Sequence, residues 1–212
     1  MNLFAKKAIV LGVVVVAILA GPVRSENWAQ WRGPIMDGTS NEKNLPTNWS
    51  KTENIAWSAA MPGSTASTPI IWGDRVFTTA ADKAKNLLAI CVDAKNGKIL
   101  WTDKTGTDRR PPGSHHNMSS PSPVTDGKSV FFLFGTGNMV AYDFTGKRLW
   151  SRDIEKDYGP FILKWGYGSS PLLHDGKVYV LVMQNKKPGE YGVKGCKPGV
   201  VDSYLLAIDA TS

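Results

Sequence analysis

Two stretches of this chain are one unit written twice. Asp93-Ala94-Lys95-Asn96-Gly97-Lys98-Ile99-Leu100-Trp101 and Asp143-Phe144-Thr145-Gly146-Lys147-Arg148-Leu149-Trp150 each read Asp, a polar turn, Gly-Lys, a short strand and Trp. A third copy opens at Asp209-Ala210-Thr211-Ser212. Trp57, Trp101 and Trp150 stand 44 and 49 residues apart. A repeat of that length made of short strands predicts an all-β fold, a β-propeller of four-stranded blades. Asp at a strand end accepts backbone N–H groups of the following turn. Gly97 and Gly146 allow the positive φ that closes it. Trp adds a flat apolar surface to bury between blades. Residues that recur in every unit meet a need that every unit has, so the repeat reads as scaffold.

The strands follow in order. Residues 68–71, 76–80, 87–93 and 98–102 form the first meander, with a turn at Gly73-Asp74. Residues 122–125, 130–134, 139–143 and 148–153 form the second, turning at Asp126-Gly127 and at 135–138. The third has 169–173, a turn at Asp175-Gly176, 178–184 and 204–209. An outer strand is expected at 54–58, ending near Trp57, and no amphipathic helix is expected after the leader. Propellers close with about 4–8 blades. Two full units, most of a third and one early strand therefore read as an incomplete ring, about three to four blades' worth, with an exposed sheet edge.

Residues 1–25 read as a signal peptide: Lys6-Lys7, an apolar core from Ala8 to Ala20, and Val23-Arg24-Ser25 before Glu26. The alternative is an uncleaved anchor, for which the apolar run is short. No Cys follows that run, which argues against a lipid anchor. Residues 26–53 form an N-terminal arm, too rich in Gly, Pro and Asn for a long helix, in which Trp28 and Trp31, with Trp49, are expected to pack against the body. Residues 54–212 form the partial propeller. The formal charge of +7 falls to +4 once the leader is set aside, and no basic stripe points to nucleic acid. Export places Cys91 and Cys196 in an oxidising compartment. They are read either as a pair or as a buried free thiol at Cys91.

The units Ser-Pro…Asp-Gly-Lys-x-Val…Leu-Ala-Ile-Asp-Ala…Gly-Lys-x-Leu-Trp resemble the pyrroloquinoline-quinone-like (PQQ-like) propeller repeat. That family includes quinoprotein dehydrogenases and the propeller lipoprotein of the outer-membrane β-barrel assembly machinery. Trp28-Ala29-Gln30-Trp31-Arg32-Gly33-Pro34 resembles the start of an exported bacterial subgroup. The resemblance covers about residues 27–212. It is specific for the fold and poorly specific for activity.

Three loops break the repeat. Arg109 to Met118 holds His115, His116 and Asn117, able to ligate a metal or bind an anion, although neighbours on an extended strand point to opposite sides. Asp157 to Gly168 holds Lys164, Trp165 and Tyr167. The resemblance implies a quinone stacked on Trp165 and Tyr167 with Lys164 at its carboxylates. The alternative is that these aromatics cover the loop's own apolar residues. Lys186 to Lys197 reads as a solvated excursion. Both of the first two loops precede the first strand of a unit, so they are expected on one face near the axis.

Against a dehydrogenase, no adjacent Cys-Cys pair and no clear Glu/Asn/Asp calcium set are visible, no catalytic residue is named, and the repeats read as lacking the family's tryptophan docking. The expected function is a non-catalytic binding or scaffolding propeller of the bacterial envelope, exported, with a protein or polysaccharide partner. The alternative is a PQQ-dependent oxidoreductase acting on alcohols or sugars, using PQQ with calcium. Its cofactor contacts would be His115, His116, Asn117, Lys164, Trp165 and Tyr167, with no metal ligand assigned.

Overall fold

The computed structural model describes residues 26–109, 118–163, 166–184 and 202–212. These residues form a partial β-propeller of three antiparallel units. In unit 1, β1 (Gly63–Ser64) and β2 (Ile70–Trp72) both lie on one edge of β3 (Arg75–Asp82). Then come β4 (Asn86–Asp93) and β5 (Ile99–Thr107). Unit 2 runs β6 (Val124–Thr125), β7 (Ser129–Leu133), β8 (Asn138–Asp143) and β9 (Arg148–Asp153). A one-turn helix, α1 (Ile154–Tyr158), follows. Unit 3 runs β10 (Leu172–His174), β11 (Lys177–Val182) and β12 (Tyr204–Asp209).

The two-residue period of a strand decides the packing. Along unit 2, Val130, Phe132 and Phe134 face unit 1, where they meet Ile70, Phe77 and Leu87. Phe131 and Leu133 face unit 3 and meet Val178 and Val180. The middle sheet is thus covered on both sides, and its apolar run is unbroken for that reason.

The repeated residues form the seams. Asp143 Oδ1 accepts from Thr145 N at 2.8 Å and Lys147 N at 3.1 Å, as Asp93 Oδ1 accepts from Lys95 N at 2.8 Å. Each Trp then reaches the next unit's turn. Trp57 Nε1 donates to Ala94 O at 2.9 Å, Trp101 Nε1 to Phe144 O at 3.2 Å, and Trp150 Nε1 to Ala210 O at 3.0 Å. The indoles lie over the turn glycines. At Gly146, with φ of 92°, a Cβ would stand 2.7 Å from Trp101 Cγ. Gly97 holds the same place beneath Trp57. The repeats therefore dock through tryptophan: Trp is buried between units as expected, while the docking that the repeats read as lacking is present. Glycine is required because the ring occupies the space of a side chain.

Other expectations change as well. Residues 54–58 form no strand, since no described strand lies beside them to pair with; Trp57 reaches the unit 1 turn from irregular chain. Trp28 packs, but Trp31 and Trp49 are 48% and 62% exposed. The helix α1 is present because Asp153 caps it, its carboxylate accepting from Lys156 N at 3.1 Å. The extra strand β1 follows from Gly63, whose bare backbone lies against Ala81 O.

Candidate functional site

Two inter-unit loops begin where outer strands end and return at the first strands of the next unit. Their returning ends are tied together near the inner edge. Thr68 N donates to Ser122 Oγ at 3.0 Å, and Ser122 N donates to Ser170 Oγ at 2.9 Å. Each acceptor is the hydroxyl before a unit's first-strand proline, so the hydroxyl needed to satisfy one unit's N–H comes from the next. Ser119 O accepts from Thr79 Oγ1 at 2.6 Å.

Glu155 joins the bases of the loops. Its Oε2 pairs with Arg109 at the start of the first loop, and its Oε1 accepts from Phe161 N at 3.0 Å in the second. Arg109 also donates to Thr136 O at 3.3 Å. Gln184 holds the second loop from its other side, accepting from Ile162 N at 2.7 Å and donating to Pro160 O at 3.0 Å. Sequence reading missed Glu155 because α1 is too short to show periodicity. The signal that was available is Asp153 followed by acids at 155 and 157, a helix start.

Of the six sequence-predicted cofactor contacts, Tyr167 is described. His115, His116, Asn117, Lys164 and Trp165 lie outside the described residues. Tyr167 is 3% exposed, its ring 4.7 Å from that of Phe161, and its hydroxyl donates to Leu181 O at 3.1 Å. Burial pushes its phenol well above the ordinary tyrosine value. Tyr167 thus packs against Phe161 of its own loop and onto unit 3.

The electrostatic centre of seam 1–2 is Asp103. It accepts from Tyr142 OH at 2.7 Å and Arg148 Nη2 at 2.6 Å. Burial works to raise its carboxyl, but the Arg148 and Tyr142 hydrogen bonds outweigh that and hold it below the ordinary value. Burial and the Asp103 hydrogen bond push Tyr142 up. Cys91 is a buried free thiol, pushed up to about 12 by burial. Cys196 and the 186–197 loop fall outside the described residues. An open cavity of about 510 Å³ borders Arg148, Arg152, Lys156, Asp153 and Asp157. Tyr167, the described candidate, does not line it. No group of three or more His, Cys, Asp or Glu side chains able to hold a metal occurs among the described residues.

Known proteins share this architecture. The family model PQQ_2, described as outer membrane protein assembly factor BamB, matches residues 40–186. A polyvinylalcohol dehydrogenase from Pseudomonas sp is 29% identical over 127 residues, 59% of this chain and 18% of the relative. The quinohemoprotein alcohol dehydrogenase from Comamonas testosteroni superposes with a TM-score of 0.59 at 16% identity, over 90% of this chain and 26% of that one. BamB from Moraxella catarrhalis superposes with a TM-score of 0.46 at 16% identity, over 74% of this chain and 40% of that one. The chain thus spans 18% of the length of its curated relative.

Proposed function

This chain belongs to the PQQ_2 propeller-repeat family, and from that premise we propose that it is a non-catalytic binding or scaffolding propeller of the bacterial envelope. One observation carries the reading. The recurrent Trp residues dock each unit on the glycine turn of the next, the recurrent Asp residues hold that turn's own N–H groups, and Tyr167, the described member of the candidate ligand set, serves packing. What such a surface offers is a stack of units whose loops are pinned at their bases by Glu155 and Gln184. On this reading residues 1–25 direct export and are removed, residues 26–53 are an arm, and residues 54–212 are propeller. The partner is a protein or polysaccharide of the envelope. No helix among the described residues is long and apolar enough to cross a membrane.

The 29% identity to a polyvinylalcohol dehydrogenase favours a second reading. Here the chain is part of a PQQ-dependent oxidoreductase acting on alcohols or sugars. His115, His116 and Asn117 from one loop and Lys164 and Trp165 from the other would then meet the quinone, which would accept the substrate's electrons. Tyr167 would stiffen the second loop from within the core.

Turnover separates the two. The purified full-length protein is mixed with PQQ, Ca²⁺, an artificial electron acceptor and a panel of alcohols and sugars. The scaffold reading expects no acceptor reduction above a protein-free control. Reduction that disappears in Trp165→Ala would replace it with the second reading.

A further inference from the structure

Units 1 and 2 are joined at three levels. Trp101 docks on the outside, Thr68 bonds Ser122 on the inside, and the Trp72 ring lies over the Gly127 turn. Units 2 and 3 share the first two kinds of tie, through Trp150 and Ser170. The third is missing there: the short acidic Asp126 stands where unit 1 has Trp72, so no ring from unit 2 can lie over the unit 3 turn at Asp175.

The N-terminal arm deepens this asymmetry. Asn27 Oδ1 accepts from Gly73 N at 2.8 Å. Trp28 exchanges both backbone hydrogen bonds with Ile71, at 2.8 and 2.9 Å. The next residue crosses the seam, Ala29 O accepting from Thr125 N at 3.0 Å. Ile71 and Thr125 occupy one register position, each two residues after its strand's proline; Leu173 is the third of the set. The arm thus uses the free inner edges of two successive first strands, satisfying backbone groups that would otherwise need water. It bonds no unit 3 backbone among the described residues. The arm is itself closed up. Gly33 N donates to Gln30 O at 3.0 Å, and the Trp28 ring fills the place a Gly33 Cβ would take, 2.8 Å away. Gly33 has φ of 80°, so another residue there meets both strain and the ring.

We infer that residues 27–33 are a strap that locks units 1 and 2 into one rigid body, leaving the seam between units 2 and 3 to open first. The strap lies at the turn ends of the first strands, away from the loop ends.

Amide hydrogen exchange on the full-length protein, corrected for intrinsic rates, tests this. Thr68 N reports seam 1–2 and Ser122 N reports seam 2–3, each bonded to the hydroxyl of the next unit. The strap predicts that Thr68 exchanges at least about tenfold more slowly than Ser122, a difference of about 1.4 kcal/mol in opening free energy. In Trp28→Pro, which removes the N–H given to Ile71 O, Ile71, Gly73 and Thr125 should exchange at least about tenfold faster, and Thr68 should approach Ser122. Trp31→Ala, on an exposed residue of the same arm, should change none of them. Equal protection of Thr68 and Ser122 in the unsubstituted protein would overturn the inference, as would Trp28→Pro leaving Thr68 unchanged. If Trp28→Pro does not fold, the unsubstituted comparison and Gly33→Ala, which displaces the Trp28 ring, decide it.

Discussion

The docking of Trp101 on the Gly146 turn can be tested as a coupling. Trp101 lies 5.2 Å from the Tyr142 ring and 6.2 Å from Phe77 and Phe132, and it donates to Phe144 O. Truncation to Ala removes these contacts, at about 3–5 kcal/mol by the usual cost of deleting a large aromatic from a core. Gly146→Ala acts from the other side. Its positive φ costs about 1–2 kcal/mol for an L-residue, and the new Cβ displaces the indole, losing a hydrogen bond of about 0.5–1.5 kcal/mol. Once the ring is gone, Gly146→Ala retains only the backbone cost. The double variant should therefore fall short of the sum of the singles by about 1 kcal/mol or more. The assay is urea unfolding of the full-length protein followed by far-ultraviolet circular dichroism, comparing midpoints at constant slope. Additivity within about 0.5 kcal/mol would refute the claim that ring and glycine form one lock.

Three further outcomes follow from the same geometry. Ser122→Ala removes the acceptor for Thr68 N, so urea unfolding should show a loss of about 0.5–1.5 kcal/mol, the net worth of one hydrogen bond. The Cys91 thiol is raised from 9.0 to about 12, so the stability it confers is full below pH 9 and is lost as pH rises toward about 12. Melting temperature against pH should fall along that limb, and Cys91→Ala should flatten it. Asp103 is held below the ordinary carboxyl value, so its contribution is present above about pH 4 and fades on further acidification. Its ion pair with Arg148 is more than a third exposed on both sides, so Asp103→Asn should cost under about 1 kcal/mol from that pair and blunt the acid limb.

The repeat made the sheet order legible before any coordinates. Asp, Gly and Trp at fixed offsets mark a turn and a strand end, and the apolar run of 130–134 marks a strand covered on both faces. The sequence did not show what the Trp side chains hold. Docking joins Trp101 to Phe144 O, 43 residues away, and a pattern within one unit carries no sign of its neighbour. Short elements escaped for a related reason. The strand β1 has two residues and α1 has five, below the length at which periodicity speaks. The 54–58 segment looked like a strand by composition, but a strand exists only beside a partner. At the candidate site, Tyr167 reads on paper as a flat face for a ligand. Its burial comes from Phe161 in its own loop and Leu181 from unit 3, a long-range meeting that residue type does not encode.

The central claim is that this propeller binds and organises partners without using a quinone. Thermal denaturation of the full-length protein in a PQQ titration, with and without Ca²⁺, tests it most directly. A native-state ligand at about a hundred times its Kd adds about 2.7 kcal/mol, a shift well within detection. The account predicts no change in Tm at PQQ concentrations far above micromolar. A saturable, calcium-dependent rise would contradict it and make the oxidoreductase the better reading.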